Sequence, residues 1–321
     1  MSSSSTHPGV LHRICTPSAP GKPIPALVAV EHVPSVQHNA PSSSKNTLIF
    51  LGGLFDGLLT VPFVAPIVSA LPSSWSLIEP TLSSAYRQWG FSSLGENVAE
   101  IARIVEYFRK LRPQGKVVLL GHSTGSQQVL HYLLSATGLP PIDGGILQSS
   151  ASDREAILMF LSQSEYDSTC KMAQSYVDEG RGEDVLPFGA TKGIFTSAPV
   201  SARRWLSLAS PGPLHNGEDD CFSSDLDDER LAKTFGKVGK GGMRLMFLFG
   251  GEDQYVPDTV DREKLVERWH HQVKQGGGII DQGSGIVEEA SHTLEEGGEG
   301  LEDLVARVLG FLKRYESSMS T

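Results

Sequence analysis

The sequence predicts an α/β fold, in which helices cover both faces of a mostly parallel central sheet. Short apolar runs, of which 47–51 and 116–120 are the clearest, are typical of strands buried on both faces. Segments with helical spacing of apolar residues lie between these runs, and this alternation favours a parallel sheet. Such sheets bind ligands beyond the carboxyl ends of their strands, so we expect functional residues in the strand-to-helix turns.

The first half of the chain opens with two short β-branched segments, followed by a polar linker over 34–46. The predicted strands are, in order, 10–16, 26–33, 47–51, 76–81, 116–120 and 143–148. The predicted helices are 60–70, one that begins at Ser93 and ends before Pro113, and 126–135. Ser93 and Glu96 have the spacing of a capping box, which marks the start of the second helix.

The second half contains no convincing strand between 150 and 242, although ordinary strand-to-helix connections span only about 2–6 residues. Helical patterns within this gap cover 153–161, 165–177 and 202–208. We interpret the segment at about 150–242 as an inserted helical lid. Afterwards come a strand at 243–249, a helix at 258–274, a strand near 278–287 and a helix at 301–314. The expected organisation is a single domain over 9–315, with a disordered or irregular start over 1–8 and a tail over 316–321.

The composition excludes several partners. The 321 residues include 27 Lys and Arg against 37 Asp and Glu, a net charge of -10 that disfavours nucleic acid and anionic membranes. Three scattered cysteines predict neither a disulfide framework nor a zinc site, and no cofactor or metal is expected. The amino terminus lacks the apolar stretch of a signal peptide, and Gly and Pro interrupt the most apolar window, 47–71. We therefore expect a soluble, cytoplasmic protein.

The sequence Gly121-His122-Ser123-Thr124-Gly125 matches the pattern G-x-S-x-G. The pentapeptide alone is a weak signal, but here it follows a buried strand and opens a helix. In that setting a sharp turn lifts the serine hydroxyl above the sheet. We therefore predict that Ser123 is a nucleophile; the alternative is a structural glycine-rich turn.

A serine nucleophile needs a histidine base and a carboxylate that orients the histidine. His292 lies in the loop between the last predicted strand and the last helix, where this architecture places the base, and His215 is the second choice. Asp253 follows the strand at 243–249 and is the preferred acid, with Glu252 and Asp258 as rivals. The order Ser123, Asp253, His292 places each residue after a different predicted strand.

Acyl transfer also requires N–H donors for the oxyanion. One candidate donor is the N–H of Thr124, the residue after the nucleophile. The second is the N–H of Leu54, which follows Gly52 and Gly53 in the turn that leaves an earlier strand. Those glycines also have a simpler explanation as a tight turn.

The segment 218–229 contains seven acids and no base. Most such runs are solvated loops. The functional alternative is that Asp219, Asp220 and Asp225 attract a cationic substrate.

These residues together resemble the α/β-hydrolases, and within them a fungal group of unassigned function that includes siderophore esterases. The resemblance rests on 51–57, 120–127, 152–156 and the loops of Asp253 and His292, and it covers about 9–315. It implies an α/β-hydrolase fold and a fusarinine-type hydroxamate ester as substrate, free or iron-bound, which is cleaved inside the cell to release iron.

We therefore predict a metal-free serine ester hydrolase without cofactors. Two alternatives remain: a general carboxylesterase or thioesterase of secondary metabolism, and a hydrolase-fold protein that binds a small molecule without turnover.

Overall fold

The computed structural model describes residues 7–15, 26–32, 45–135, 138–191, 195 and 198–317. Its strands are β1 Gly9–Ile14, β2 Leu27–His32, β3 Asn46–Leu51, β4 Trp75–Thr81, β5 Val117–His122, β6 Gly144–Gln148, β7 Arg244–Gly250, β8 Ile279–Ile280 and β9 Gly285–Val287. Its α-helices are α1 Val64–Ala70, α2 Leu94–Leu111, α3 Thr124–Leu134, α4 Asp153–Phe160, α5 Gln163–Asp178, α6 Phe188–Thr191, α7 Ala202–Ala209, α8 Asp228–Val238, α9 Arg262–Gln275 and α10 Gly298–Ser317. Most of the expected irregular start, the linker and the end of the tail lie outside the described residues.

The nine strands form one sheet in the order β1-β2-β4-β3-β5-β6-β7-β8, and β9 also pairs with β7. The β1–β2 and β2–β4 pairs are antiparallel, whereas every other pair is parallel. The predicted mostly parallel sheet is therefore confirmed. Because β3, β5, β6, β7 and β9 run in the same direction, the loops that follow them meet at one edge.

Helices cover both faces of the sheet. Side chains of α2, α3, α8 and α9 form one apolar cluster with one face, centred on residues such as Phe108, Leu130 and Trp269. On the other face α1 and α10 pack through Ile67 and Phe311. This burial on two faces explains why the central strands are apolar without alternation.

A third apolar cluster joins α4, α5 and α7 and includes Ile157, Phe195 and Trp205. Most of its members lie within the segment expected to form the lid, and Trp89 joins it from outside that segment. Helix α8 also falls within the expected lid range of 150–242, yet its Leu231 and Phe235 pack in the main core with α9.

Several element boundaries differ from the sequence predictions for local reasons. Helix α1 begins at Val64 rather than at residue 60, because Val61 precedes Pro62 and is disfavoured in helical conformation. The strand expected near 278–287 is split into β8 and β9 by a turn containing Gly283. Helix α8 was not predicted; Asp227 caps it by accepting a hydrogen bond from the N–H of Arg230.

Among the described residues, no helix combines the length and the apolarity that crossing a membrane would require.

Candidate active site

Ser123 is the single residue between β5 and α3, and it has a backbone conformation that few residues adopt. Its φ is 54° and its ψ is −122°. A non-glycine residue in this region carries strain of about 1–3 kcal/mol, which persists only where the surroundings impose it. The Ser123 N–H donates to the Gln148 carbonyl at 3.0 Å, which ties the turn to the neighbouring strand β6. The sharp strand-to-helix turn expected at this position is present.

The glycines on either side allow close backbone packing around this turn. A Cβ on Gly121 would lie 2.2 Å from the Gly125 carbonyl oxygen, and one on Gly125 would lie 2.0 Å from the Leu51 carbonyl oxygen. Both distances are far shorter than any real contact. The two motif glycines therefore let β5 and α3 pack directly against β3.

His292 and Asp253 form a buried pair. The His292 Nδ1 lies 2.7 Å from Asp253 Oδ2, and the two residues are 7% and 1% exposed. The other Asp253 oxygen accepts from the Tyr255 N–H at 3.0 Å, and the Tyr255 ring packs edge-on against the His292 ring. With Nδ1–H donating to the carboxylate, Nε2 keeps a lone pair that can accept a proton.

Gln148, at the end of β6, connects the serine turn with the histidine loop. Its Oε1 accepts from the His122 Nδ1 at 2.5 Å, and its Nε2 donates to the Ser149 hydroxyl at 2.6 Å. The Ser149 hydroxyl in turn donates to the His292 carbonyl at 3.1 Å. Burial, reinforced by the nearby His292, lowers the pKa of His122 to about 3, so His122 stays neutral in this chain of hydrogen bonds.

The two expected oxyanion donors, the N–H groups of Thr124 and Leu54, lie at the start of a helix and in a strand-to-helix turn, respectively. Thr124 is the first residue of α3, so its N–H has no partner within the helix. In the turn after β3, Gly53 donates its N–H to Asp56 Oδ2 at 2.7 Å, whereas the Leu54 N–H donates to no group in the described part of the chain. A Cβ on Gly53 would lie 2.7 Å from the Ser123 Cβ, so this turn packs directly against the serine.

Ser123 and His292 line one cleft of about 620 Å3. Its wall includes four aromatic side chains, those of Phe55, Phe160, Phe195 and Tyr255, and three acids, Asp56, Asp153 and Glu295. None of the described residues that line it is Lys or Arg. Burial, together with the nearby Asp219 carboxylate, raises the pKa of Asp153 above its ordinary value. Neutral or cationic ligands suit this cleft better than anions.

The acidic segment 218–229 contains two buried carboxylates among otherwise exposed ones. Asp219 is 1% exposed and pairs with Arg204, and Asp220 is 2% exposed and pairs with Arg154 at 2.9 Å. Asp225 accepts from the other end of the Arg154 guanidinium. Asp219 and Asp220 are therefore neither solvated nor, among the described residues, part of the cleft wall. The other acids of the segment are exposed: Glu218, Asp225, Asp227, Asp228 and Glu229. Buried carboxylates require partners, and the partners here are distant in sequence.

The other residues considered for the base and the acid, His215, Glu252 and Asp258, do not take part in the hydrogen bond between His292 and Asp253. His215 Nδ1 donates to the Ser210 carbonyl at 2.7 Å, and His215 lines a separate surface pocket beside α5. The His292 Nδ1–H donates to Asp253 and not to Glu252 or Asp258. Within the described ranges, no group of three or more His, Cys, Asp or Glu side chains is arranged to hold a metal ion.

Three residues at the site were not singled out from the sequence: Gln148, Asp56 and Tyr255. Gln148 carried a signal, because a polar side chain follows Ile146 and Leu147 at the end of a predicted strand, where functional residues are expected. Asp56 lies in the turn at 51–57 and Tyr255 in the loop of Asp253, and no local pattern distinguishes either residue from its neighbours there.

The whole chain resembles known proteins. Residues 1–313 match the family model described as a protein of unknown function (DUF1749). The chain is 38% identical over 312 residues to the fusarinine C esterase sidJ of Aspergillus fumigatus, covering 84% of each chain. It is also 38% identical over 306 residues to the esterase AN6793 of Emericella nidulans, covering 79% of this chain and 82% of that one.

A solved structure shares the fold. The siderophore hydrolase EstB from Aspergillus fumigatus superposes with a TM-score of 0.79 at 37% identity, covering 96% of this chain and 98% of the other. The α/β-hydrolase fold expected from the sequence is thereby confirmed. This chain belongs to the DUF1749 family and is an ester hydrolase of the α/β-hydrolase fold.

Proposed function

We propose that the protein is a serine esterase in which Ser123, His292 and Asp253 act as a catalytic triad. The observation that carries this proposal is that His292, which forms a buried 2.7 Å pair with Asp253, lines the same cleft as the strained Ser123. The three residues follow different parallel strands, and their order along the chain is the one typical of α/β-hydrolases.

In the proposed reaction, the Ser123 hydroxyl attacks the ester carbonyl while His292 Nε2 takes its proton. Asp253 holds the Nδ1–H and stabilises the imidazolium that forms. The oxyanion of the tetrahedral intermediate accepts hydrogen bonds from the N–H groups of Leu54 and Thr124. His292 then gives the proton to the leaving alcohol, and water releases the acid from the acyl-enzyme by the same steps.

For the substrate, we propose an ester of a fusarinine-type hydroxamate siderophore. The similarity to a fusarinine C esterase over most of both chains supports this assignment. The cleft supports it as well, since free amino groups on a non-acetylated fusarinine are cationic, and the described lining of the cleft includes three acids but neither Lys nor Arg. Because the released iron is used within the cell, we expect the reaction in the cytoplasm, which microscopy of a tagged chain would test.

The test is mass spectrometry of fusarinine C, iron-bound and iron-free, incubated with the purified protein. A simple aryl ester and the Ser123→Ala variant serve as controls. Stepwise gains of water on the siderophore that are absent in the variant are the expected result. Hydrolysis of the aryl ester alone would contradict the proposed substrate, and turnover by Ser123→Ala would contradict the triad.

A further inference from the structure

The turn between β3 and α1 is held by the carboxylate of Asp56. Asp56 Oδ2 accepts the Gly53 N–H at 2.7 Å, and Oδ1 accepts the Thr60 hydroxyl at 3.1 Å. The backbone of Asp56 is fixed as well, because its carbonyl accepts from the Tyr86 N–H at 2.8 Å. The two carboxylate oxygens therefore accept hydrogen bonds from residues before and after Asp56 in the turn.

The hydrogen bond to Gly53 determines which donor of the turn is free. Gly53 packs against Ser123, and its N–H would otherwise be a donor beside the nucleophile. Because that N–H is directed to Asp56, the Leu54 N–H is the donor left to face an oxyanion. The bond fixes the Gly52–Gly53 peptide plane, and the Gly53 carbonyl accepts the Asp56 N–H at 3.3 Å, which holds the next peptide plane, the one that carries the Leu54 N–H.

The carboxylate is held in place despite the cost of burying it. Its side chain is 19% exposed, and burial raises its pKa. The neutral His122 approaches it only to 3.9 Å, so His122 provides no compensating charge. Its bonded partners are instead the Gly53 N–H and the Thr60 hydroxyl of its own turn.

We propose that Asp56 is a positioning residue of the oxyanion site, which orients the Leu54 N–H by capturing the N–H of Gly53. This inference rests on the proposed function. It assigns Asp56 no contact with substrate; the effect passes through the backbone of the turn.

The experiment compares Asp56→Ala and Asp56→Asn with Glu100→Ala, a change at a half-buried carboxylate outside this cleft that also accepts a backbone N–H, that of Ser83 at 2.8 Å. Each variant is measured for kcat and KM with an aryl ester and for inhibition by a trifluoromethyl ketone. Such a ketone forms a hemiketal oxyanion on the serine and so reports on the donors directly. Denaturant unfolding of each variant separates these effects from loss of the fold.

For Asp56→Ala we expect kcat to fall at least tenfold, up to the roughly 10²- to 10³-fold cost of losing one oxyanion donor. The inhibitor affinity should fall in parallel, with KM nearly unchanged. Asp56→Asn should have a higher kcat and a higher inhibitor affinity than Asp56→Ala, because its amide oxygen can still accept the Gly53 N–H. Glu100→Ala should leave kcat and the inhibitor affinity unchanged, because Glu100 is not among the residues that line the cleft.

Two results would overturn the inference: a folded Asp56→Ala variant that retains wild-type kcat and inhibitor affinity, or an Asn variant as impaired as the Ala variant. Failure of the proposed function would look different. In that case the ketone would not inhibit the wild-type protein, and Ser123→Ala would remain active.

Discussion

Replacing Ser123 by glycine and by alanine separates the strain at this position from its chemistry. Both changes remove the hydroxyl, but only glycine adopts a φ of 54° and a ψ of −122° without steric cost. Relief of about 1–3 kcal/mol of strain is offset by the roughly 0.5–1 kcal/mol that glycine costs through the flexibility of the unfolded chain. Ser123→Gly should therefore be more stable than Ser123→Ala by about 0.5–2 kcal/mol.

Ser168, in the middle of α5, provides a matched control. In a helix interior, glycine is about 1 kcal/mol less favourable than alanine, so the order of the two variants should reverse there. The assay is equilibrium unfolding in urea, together with ester hydrolysis, which both Ser123 variants should lose. The reasoning would be refuted if Ser123→Ala were at least as stable as Ser123→Gly.

Three further predictions concern neighbouring groups. Asp253→Asn should lower kcat by about 10⁴ through loss of the correct His292 tautomer, and steady-state kinetics showing less than a tenfold decrease would contradict this role. Gly53→Ala should lower kcat by about 10², since its Cβ would lie 2.7 Å from the Ser123 Cβ and must displace the turn; unchanged kcat would show that the turn yields freely. His122 has a folded pKa of about 3 against 6.5 in the unfolded chain, so only the unfolded state binds its proton between these values. The free energy of unfolding should therefore fall as pH drops below about 6.5, by up to about 1.4 kcal/mol per pH unit. Urea unfolding at pH 7 and 5 should show a smaller decrease in His122→Asn, and equal decreases would be inconsistent with a buried neutral imidazole.

The local pattern of the chain was enough to predict the features that depend on neighbours in sequence. The buried run before Gly121 and the helix after it predict the turn at Ser123, and the Ser93–Glu96 spacing predicts the start of α2, where the capping box is present. Strand-helix alternation predicts that the loops of Asp253 and His292 reach the same sheet edge. These inferences succeed because backbone periodicity and capping are decided within a few residues.

The tertiary structure alone decided the pairings between distant residues. The acidic segment 218–229 has no base of its own, and only the fold brings Arg154 and Arg204 to Asp220 and Asp219. The apolar residues of helix α8, Leu231, Phe235 and Val238, have helical spacing, but only the fold determined that this face packs on α9.

The same distinction holds at the site. The sequence by itself determined that a serine, an acid and a histidine end three different strands. Only the fold determined that Asp253 rather than Glu252 bonds His292, and that Gln148 links the serine turn to the histidine loop. The physical reason is that hydrogen bonds and ion pairs depend on distances of a few ångströms between side chains, and chain packing fixes those distances.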